Sequence, residues 1–177
     1  LASMATALGS TMRYTISGNE PLVSLREELS YVENYLTIQK LRFGERLHAE
    51  IDVPEYVMGC AVPRVSIQPL VENAILHGLE QREKPGTIRI GAWTAGDRLT
   101  IEVTDDGQGM TEEELAQLRS ALYAPSPAEE RRGIGLRNLY MRLRLLYDET
   151  AQLTLDSEEG IGTVVQIVIP MERRCGL

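Results

Sequence analysis

The organisation of this chain is read most directly from one short stretch, VTDDGQGM at residues 103–110. It continues a run of alternating apolar and polar residues, which predicts a strand from about Leu99 to Thr104. Asp105 stands at the end of that strand, and Gly107 and Gly109 follow. A buried carboxylate can accept a hydrogen bond from an exocyclic amine, and glycines let backbone approach a ligand closely. The acids do not have EF-hand spacing, so a calcium loop of that type is excluded and an ordinary turn is the alternative.

A second polar cluster lies upstream, in QPLVENAILHG at residues 68–78. Apolar periodicity predicts a helix there, from about Val65 to Leu79. Asn73 and His77 are four residues apart, so the helix places both on one exposed face, opposite the apolar stripe. An amide oxygen and an imidazole on such a face can hold a hydrated cation or contact phosphate. A solvated surface pair is the alternative.

A third cluster, RRGIGL at residues 131–136, opens a helix predicted from about Ile134 to Tyr147. Glycines at a helix start present backbone N–H groups to an anion, and Arg131 and Arg132 flank that position. The cluster has no Lys-Ser/Thr pair and no strand directly before it, so neither a P-loop nor a Rossmann site is predicted. An ordinary loop-to-helix turn is the alternative.

The remaining periodic segments predict a two-layer α/β sandwich, in which a mixed, largely antiparallel sheet packs on three helices. Helical remnants of a separate region precede it. The predicted segments are helices at 1–16, 25–43 (opened by a Ser24/Glu27 capping box) and 112–122, strands at 48–53, 151–156 and 163–169, and a hairpin of 87–93 with 99–104.

Composition and charge exclude several classes of function. Eighteen Lys and Arg against 26 Asp and Glu give a net charge of −8, which argues against a general nucleic-acid binder. The five arginines of residues 131–147 include Arg142 and Arg144, which are expected to be solvated. Cys60 and Cys175 have no metal-ligand spacing and form no disulfide framework. With no apolar run long enough for a membrane span, the chain as given is expected to be a soluble intracellular segment.

The order of the clusters resembles the GHKL ATPase superfamily, which includes gyrase, MutL and histidine kinases. The shared order is an Asn-bearing helix, D-x-G-x-G after a hairpin, a loop, G-x-G-L opening a helix and G-x-G-T before the last strand. The segments QPLVENA and HG within residues 68–78, and GIGLRN at 133–138, are similar to the corresponding motifs of the LytS-type sensor histidine kinases. EEL at 27–29 and YLTIQKLRF at 35–43 resemble that group's dimerisation region. The resemblance implies two parts, the end of a dimerisation region at 1–44 and a catalytic ATP-binding domain at 45–177.

The resemblance implies a site for ATP and Mg²⁺. Asn73 would coordinate the metal, since magnesium keeps several waters and needs few protein ligands. Asp105 would accept from the adenine amine, Met110 would pack beside the base, and Thr163 would close the adenine pocket. Residues 111–132 would form a mobile ATP lid. The implied nucleotide-binding residues are Asn73, His77, Asp105, Gly107, Gly109, Met110, Arg132, Gly133, Gly135, Leu136 and Thr163.

The catalytic residues implied are Glu72, Asn73 and His77. We hypothesise that Glu72 orients or deprotonates the incoming histidine, because a carboxylate beside the metal is the nearest candidate base. A solvent-facing helix glutamate is the alternative. Gyrase-type ATPases carry a general-base Glu four residues before the metal Asn. Pro69 occupies that position, so efficient hydrolysis of ATP by water is not expected.

The function that the resemblance implies is transfer of the γ-phosphoryl group of ATP to a histidine on an upstream helix, for relay to an aspartate of a response regulator. No histidine precedes His48, so this segment alone is expected not to phosphorylate itself. The whole protein is expected to be a bacterial, membrane-anchored homodimer with this part in the cytoplasm. An anti-sigma-type serine kinase and a degenerate module that binds partners but no nucleotide are the alternatives.

Overall fold

A computed structural model of the chain describes residues 20–80, 84–123 and 134–171. The predicted helix at 1–16 and residues Arg131, Arg132 and Gly133 lie outside the described residues. The described helices and strands are β1 (Leu22–Ser24), α1 (Leu25–Phe43), β2 (Leu47–Asp52), β3 (Ala61–Pro63), α2 (Gln68–Asn73) with a π-helical extension (Ala74–Leu79), β4 (Gly86–Ala95), β5 (Arg98–Asp105), α3 (Glu112–Tyr123), α4 (Ile134–Tyr147), β6 (Gln152–Glu158) and β7 (Gly162–Pro170).

The main sheet has five strands in the order β2-β4-β5-β7-β6. Strand β2 runs parallel to β4, and the other pairs are antiparallel. Buried and less buried residues alternate along β4, β5 and β7, as a sheet with one covered face requires. Helices α2, α3 and α4 supply the second layer, so the predicted two-layer sandwich is confirmed.

Helix α1 has the predicted bounds and the predicted cap. Ser24 accepts a hydrogen bond from the Glu27 N–H, and the Glu27 carboxylate accepts the Ser24 N–H at 2.9 Å. The helix packs against α2 and β2, and a two-stranded sheet of β1 with β3 joins its start to the rest of the fold. That small sheet was not predicted, because three-residue strands are too short to show periodicity. The division of the chain at residue 44 stays a prediction.

The helix predicted from Val65 begins at Gln68 instead. The reason lies in residues 65–67: Val65 has φ 56°, outside the helical region, and the N–H groups of all three residues bond to a side chain of α1. Its second half is also not α-helical. From Ala74 to Leu79 the backbone is a π-helix, in which the Glu80 N–H bonds to the Ile75 carbonyl.

The expectation that Arg142 is solvated was wrong. Its guanidinium is partly buried and donates to the Val65 carbonyl at 2.6 Å, because α4 packs across the start of α2. Arg144 does lie near the surface and pairs with the exposed Glu149 at 3.1 Å. Within the described ranges, no helix combines the length and apolar character needed to cross a bilayer.

Candidate nucleotide-binding site

Asp105 ends β5 on the covered face of the sheet. Because side chains alternate along a strand, it follows Ile101 and Val103 on the face that packs on the helices. It is only 8% exposed and accepts the Gly107 N–H at 2.9 Å. Thr163 of β7 lies opposite in the register and is 2% exposed. A carboxylate and a hydroxyl therefore stand side by side where the core pattern calls for apolar residues.

Two glycines bring backbone against this carboxylate. A Cβ on Gly78 would lie 2.6 Å from the Asp105 Oδ1 atom, and one on Gly107 would lie 2.1 Å from the Gly78 Cα atom. Real Cβ atoms do not come so close, so neither position accepts a side chain without displacement. Gly109 has φ 66° and also approaches backbone, with the Glu158 carbonyl 1.9 Å from an added Cβ. The contacts require glycine at both positions of the D-x-G-x-G stretch.

A cleft lies next along the same helix, because His77 lines it and the following residue, Gly78, packs against Asp105. The cleft has a volume of about 140 Å³. One wall is the face of α2 and its π-extension, with Glu72, Asn73 and His77, and the other is the start of α4, with Gly135 and Leu136. A π-helical turn inside a helix is frequent at functional sites.

Asn73 is buried rather than exposed, so the expectation of an exposed Asn–His face was wrong for this residue. It is 6% exposed, because α4 packs beside α2. Its Nδ2 atom is buried and has no hydrogen-bond partner among the residues that the structure describes. A buried polar atom without a partner is rare in native proteins. The Nδ2 atom is a donor that an oxygen of a ligand in the cleft could satisfy, whereas only the amide oxygen could bind a metal.

Glu72 lies in the cleft with its carboxylate held from the same helix. The Gln68 Nε2 atom donates to the Glu72 Oε1 atom at 2.6 Å. The Glu72 charge also acts on Tyr35 of α1. Burial, and next the Glu72 charge, raise the pKa of Tyr35 well above its usual range, while Arg42 and the Gln39 side chain act in the opposite sense. Glu72 therefore lines the cleft and is held by Gln68. The sequence alone left open whether it faced solvent.

The start of α4 forms the opposite wall with Ile134, Gly135 and Leu136. Gly135 and Leu136 lie in the first turn, whose N–H groups have no acceptor within their own helix. The Leu136 side chain is 2% exposed, so only its backbone can reach a ligand. Met110, 7% exposed, packs in the core next to the Asp105 loop.

Sequence reasoning missed Ser157, which positions the Thr163 hydroxyl. The Ser157 Oγ atom donates to the Gly162 carbonyl at 2.8 Å and lies 2.9 Å from the Thr163 Oγ1 atom. Since the single Ser157 proton goes to Gly162, Thr163 donates to Ser157 and keeps its own lone pairs. Ser157 pairs with Thr163 across the β6–β7 hairpin, so the strand register was the signal that could have found it.

The described residues contain no group of three His, Cys, Asp or Glu side chains that could hold a metal by themselves. This donor set does not suit zinc, which takes three or four such ligands. Magnesium is different, because it keeps waters and binds through one or two protein oxygens plus substrate phosphates. The single amide of Asn73 fits that mode.

Residues 64–173 match the family model described as Histidine kinase-, DNA gyrase B-, and HSP90-like ATPase, and residues 1–47 match the one described as Histidine kinase. The chain therefore belongs to the histidine kinase-, DNA gyrase B- and HSP90-like ATPase family. It is 36% identical over 170 residues to the sensor histidine kinase YesM of Bacillus subtilis. It is 31% identical over 166 residues to the sensor protein kinase HptS of Staphylococcus aureus. These matches take in 96% and 94% of this chain, but only 28% and 31% of the relatives.

Solved structures agree with the fold. The histidine kinase domain of a blue-light activated kinase from Erythrobacter litoralis superposes with a TM-score of 0.59 at 20% identity, over 96% of this chain and 74% of that one. The catalytic domain of histidine kinase ThkA gives 0.56 at 18% identity, over 84% and 93%. The predicted resemblance and fold class are confirmed.

Proposed function

We propose that this chain binds Mg·ATP and transfers the γ-phosphoryl group to a histidine of a sensor histidine kinase. The observation that carries the proposal is the buried Asp105 carboxylate, packed against Gly78 and Gly107, with a cleft that contains the orphaned Asn73 amide next along the helix of Gly78. Family membership supports nucleotide binding, and the names of the relatives support a sensor kinase.

The adenine end of the site would be read by Asp105. Its carboxylate accepts the Gly107 N–H, and a carboxylate has about four lone-pair sites, so it can also accept from the exocyclic amine of the base. Thr163 offers a further acceptor, since its own hydroxyl donates to Ser157, whose proton is engaged by the Gly162 carbonyl. Gly107 and Gly109 keep the loop close to the base, and Met110 supplies an apolar neighbour.

The phosphate end would lie in the cleft. Asn73 would hold the metal through its amide, with His77 near the phosphates or the metal's waters. The N–H groups of Gly135 and Leu136 would face phosphate oxygens, and the family resemblance implies that Arg132 and Gly133 also bind phosphate. When bound, Mg²⁺ neutralises charge that develops on the phosphates. These residues position the nucleotide, and positioning carries most of the work in phosphoryl transfer.

Glu72 would orient or deprotonate the incoming histidine. Its place in the cleft and the hydrogen bond from Gln68 support this role, because a held carboxylate can meet a substrate nitrogen in a fixed direction. Glu72→Gln should slow phosphotransfer about a hundredfold or more, the usual range for general-base catalysis, and leave ATP affinity unchanged. Glu33→Gln, on an exposed part of α1, is the matched control. An unaltered rate in Glu72→Gln would remove Glu72 from the mechanism.

The role of the whole protein is likewise proposed from the family match and the names of the relatives. The phosphoryl group would pass from histidine to an aspartate of a response regulator. The whole protein would be a homodimeric, membrane-anchored bacterial sensor with this part in the cytoplasm. Nucleic acid is not expected as a partner, because the net charge is −8.

Phosphotransfer tests this function. The chain would be incubated with Mg²⁺, γ-labelled ATP and a longer version that carries an upstream histidine helix but has Asp105→Asn. Label that survives alkali but is lost in acid would show phosphohistidine, the expected result. Acid-stable label on serine would instead show the anti-sigma-type kinase. Nucleotide binding with no label on any acceptor would contradict kinase activity, and no binding would favour a partner-binding module.

A further inference from the structure

Glu28 is a fully buried carboxylate on α1, away from the residues that line the cleft. Burying a charge is costly unless hydrogen bonds compensate it. Its Oε1 atom accepts the Val65 N–H at 2.5 Å. Its Oε2 atom accepts the N–H groups of Ser66 at 2.9 Å and Ile67 at 3.2 Å. One side chain therefore takes three consecutive backbone N–H groups.

Those three residues lead directly into α2, the helix that carries Asn73. Ile67, at the N-cap position, makes no side-chain capping hydrogen bond. Glu28 instead fixes the three residues that come just before the first helical turn, from a position on another helix. The direction in which α2 enters the fold thus depends on where α1 lies.

Val65 is held from both sides of its backbone. It has φ 56°, a conformation that β-branched residues rarely adopt and that persists only where surrounding contacts enforce it. Glu28 takes its N–H, and the Arg142 guanidinium donates to its carbonyl at 2.6 Å. We call this arrangement of Glu28, residues 65–67 and Arg142 the Val65 clamp.

The clamp joins three helices, and two of them form the cleft. Helix α2 brings Asn73 to one wall, and α4, which carries Arg142, brings Gly135 to the other. The geometry points to Glu28 and Arg142 as positioning residues that set the spacing of the two walls, so that nucleotide affinity depends on the docking of α1. The inference rests on the proposed function, since it takes nucleotide as the ligand of the cleft.

The dependence must be mutual. If docked α1 favours the nucleotide-binding arrangement, bound nucleotide favours docked α1 by the same factor. A displacement of α1, a segment within the part of the chain that matches the Histidine kinase family model over residues 1–47, would therefore weaken nucleotide binding.

The test is a calorimetric titration of the whole chain with a non-hydrolysable ATP analogue and Mg²⁺. Glu28→Gln keeps size but removes the charge that three N–H groups share, and Arg142→Lys removes the planar donor. Each should raise Kd by about fivefold or more, the lower end of measured coupling between sites. Glu33→Gln, which loses the same charge from an exposed position of α1, should stay within about twofold of the unmodified chain. Circular dichroism would show that the variants are folded.

A second measurement covers variants that do not fold. Hydrogen exchange of the amides of residues 65–67 would be followed in the unmodified chain, with and without saturating analogue. Exchange should slow by about fivefold or more with nucleotide, because binding favours the clamped state. Unchanged Kd in folded Glu28→Gln, or unchanged exchange in the saturated chain, would overturn the inference while leaving the proposed function intact. No binding by the unmodified chain would overturn both.

Discussion

Adding one methyl group at Gly78 tests the proposed adenine end of the site. A Cβ at Gly78 would lie 2.6 Å from Oδ1 and 2.9 Å from Cγ of Asp105. Both atoms belong to a short, buried side chain with little freedom to move aside. In Gly78→Ala the carboxylate must rotate, and we expect it to lose both the Gly107 N–H and the adenine amine.

The magnitude follows from the bond that is lost to the ligand. A hydrogen bond to a charged group contributes about 1.5–3 kcal/mol, and each 1.4 kcal/mol is about a tenfold change in affinity. The Kd for an ATP analogue should therefore rise about 10- to 150-fold. Stability should fall as well, because the lost Gly107 hydrogen bond, about 1.5–3 kcal/mol, adds to the cost of overpacking. Overpacking costs about 1–3 kcal/mol, and the better helix propensity of alanine returns up to about 1 kcal/mol.

The assay is isothermal titration calorimetry, with thermal unfolding measured on the same samples. Gly59→Ala is the matched control, because a Cβ there meets nothing within 4 Å and its affinity should not change. In an Asp105→Ala background the Gly78→Ala change should cost little more, since the carboxylate it displaces is already gone. Wild-type affinity in a folded Gly78→Ala chain would refute the reasoning.

Three further predictions concern stability. Ser24→Ala removes the capping box of α1 and should lower the unfolding free energy by about 1 kcal/mol in a urea titration; no change would show that β1 alone fixes the helix start. Leu139→Ala, in the core of α4 at 0% exposure, should cost about 2–5 kcal/mol, whereas Leu145→Ala, at 83% exposure, should stay within about 0.5 kcal/mol, and equal effects would contradict the packing. Burial raises the pKa of Tyr35, so the unfolded chain loses that proton first and stability should fall as pH rises above about 10. Tyr35→Phe should flatten that fall in urea midpoints measured from pH 8 to 11, and an identical slope would contradict the raised pKa of this half-buried phenol.

Much of the fold could be predicted because its information is local. The alternation along the β4–β5 hairpin, the capping box of α1 and the periodicity of α4 are each contained within a few turns or one strand pair. Asp105 could be placed for the same reason, since it continues the inward-facing register of its strand. The order of the clusters then indicated the family, which the match of residues 64–173 confirms.

The parts that could not be predicted depend on contacts between distant segments. Asn73 was expected on an exposed face, because no local pattern shows that α4 covers it. The Val65 clamp joins α1 to residues 37 to 39 positions away, so no periodicity reports it. The sequence did carry one sign of the clamp. Glu28 falls on the apolar stripe of α1, between Leu25 and Val32, and a charge buried there needs a partner.

The central claim is that this chain holds Mg·ATP through Asp105 and Asn73. The most direct test is calorimetric titration with a non-hydrolysable ATP analogue, with and without Mg²⁺, for the unmodified chain, Asp105→Asn and the exposed-turn control Asp97→Asn. We predict binding that Mg²⁺ strengthens, that Asp105→Asn weakens at least about tenfold, and that Asp97→Asn leaves unchanged. An affinity that neither Mg²⁺ nor the Asp105→Asn substitution changes, or no binding by the folded chain, would contradict this claim.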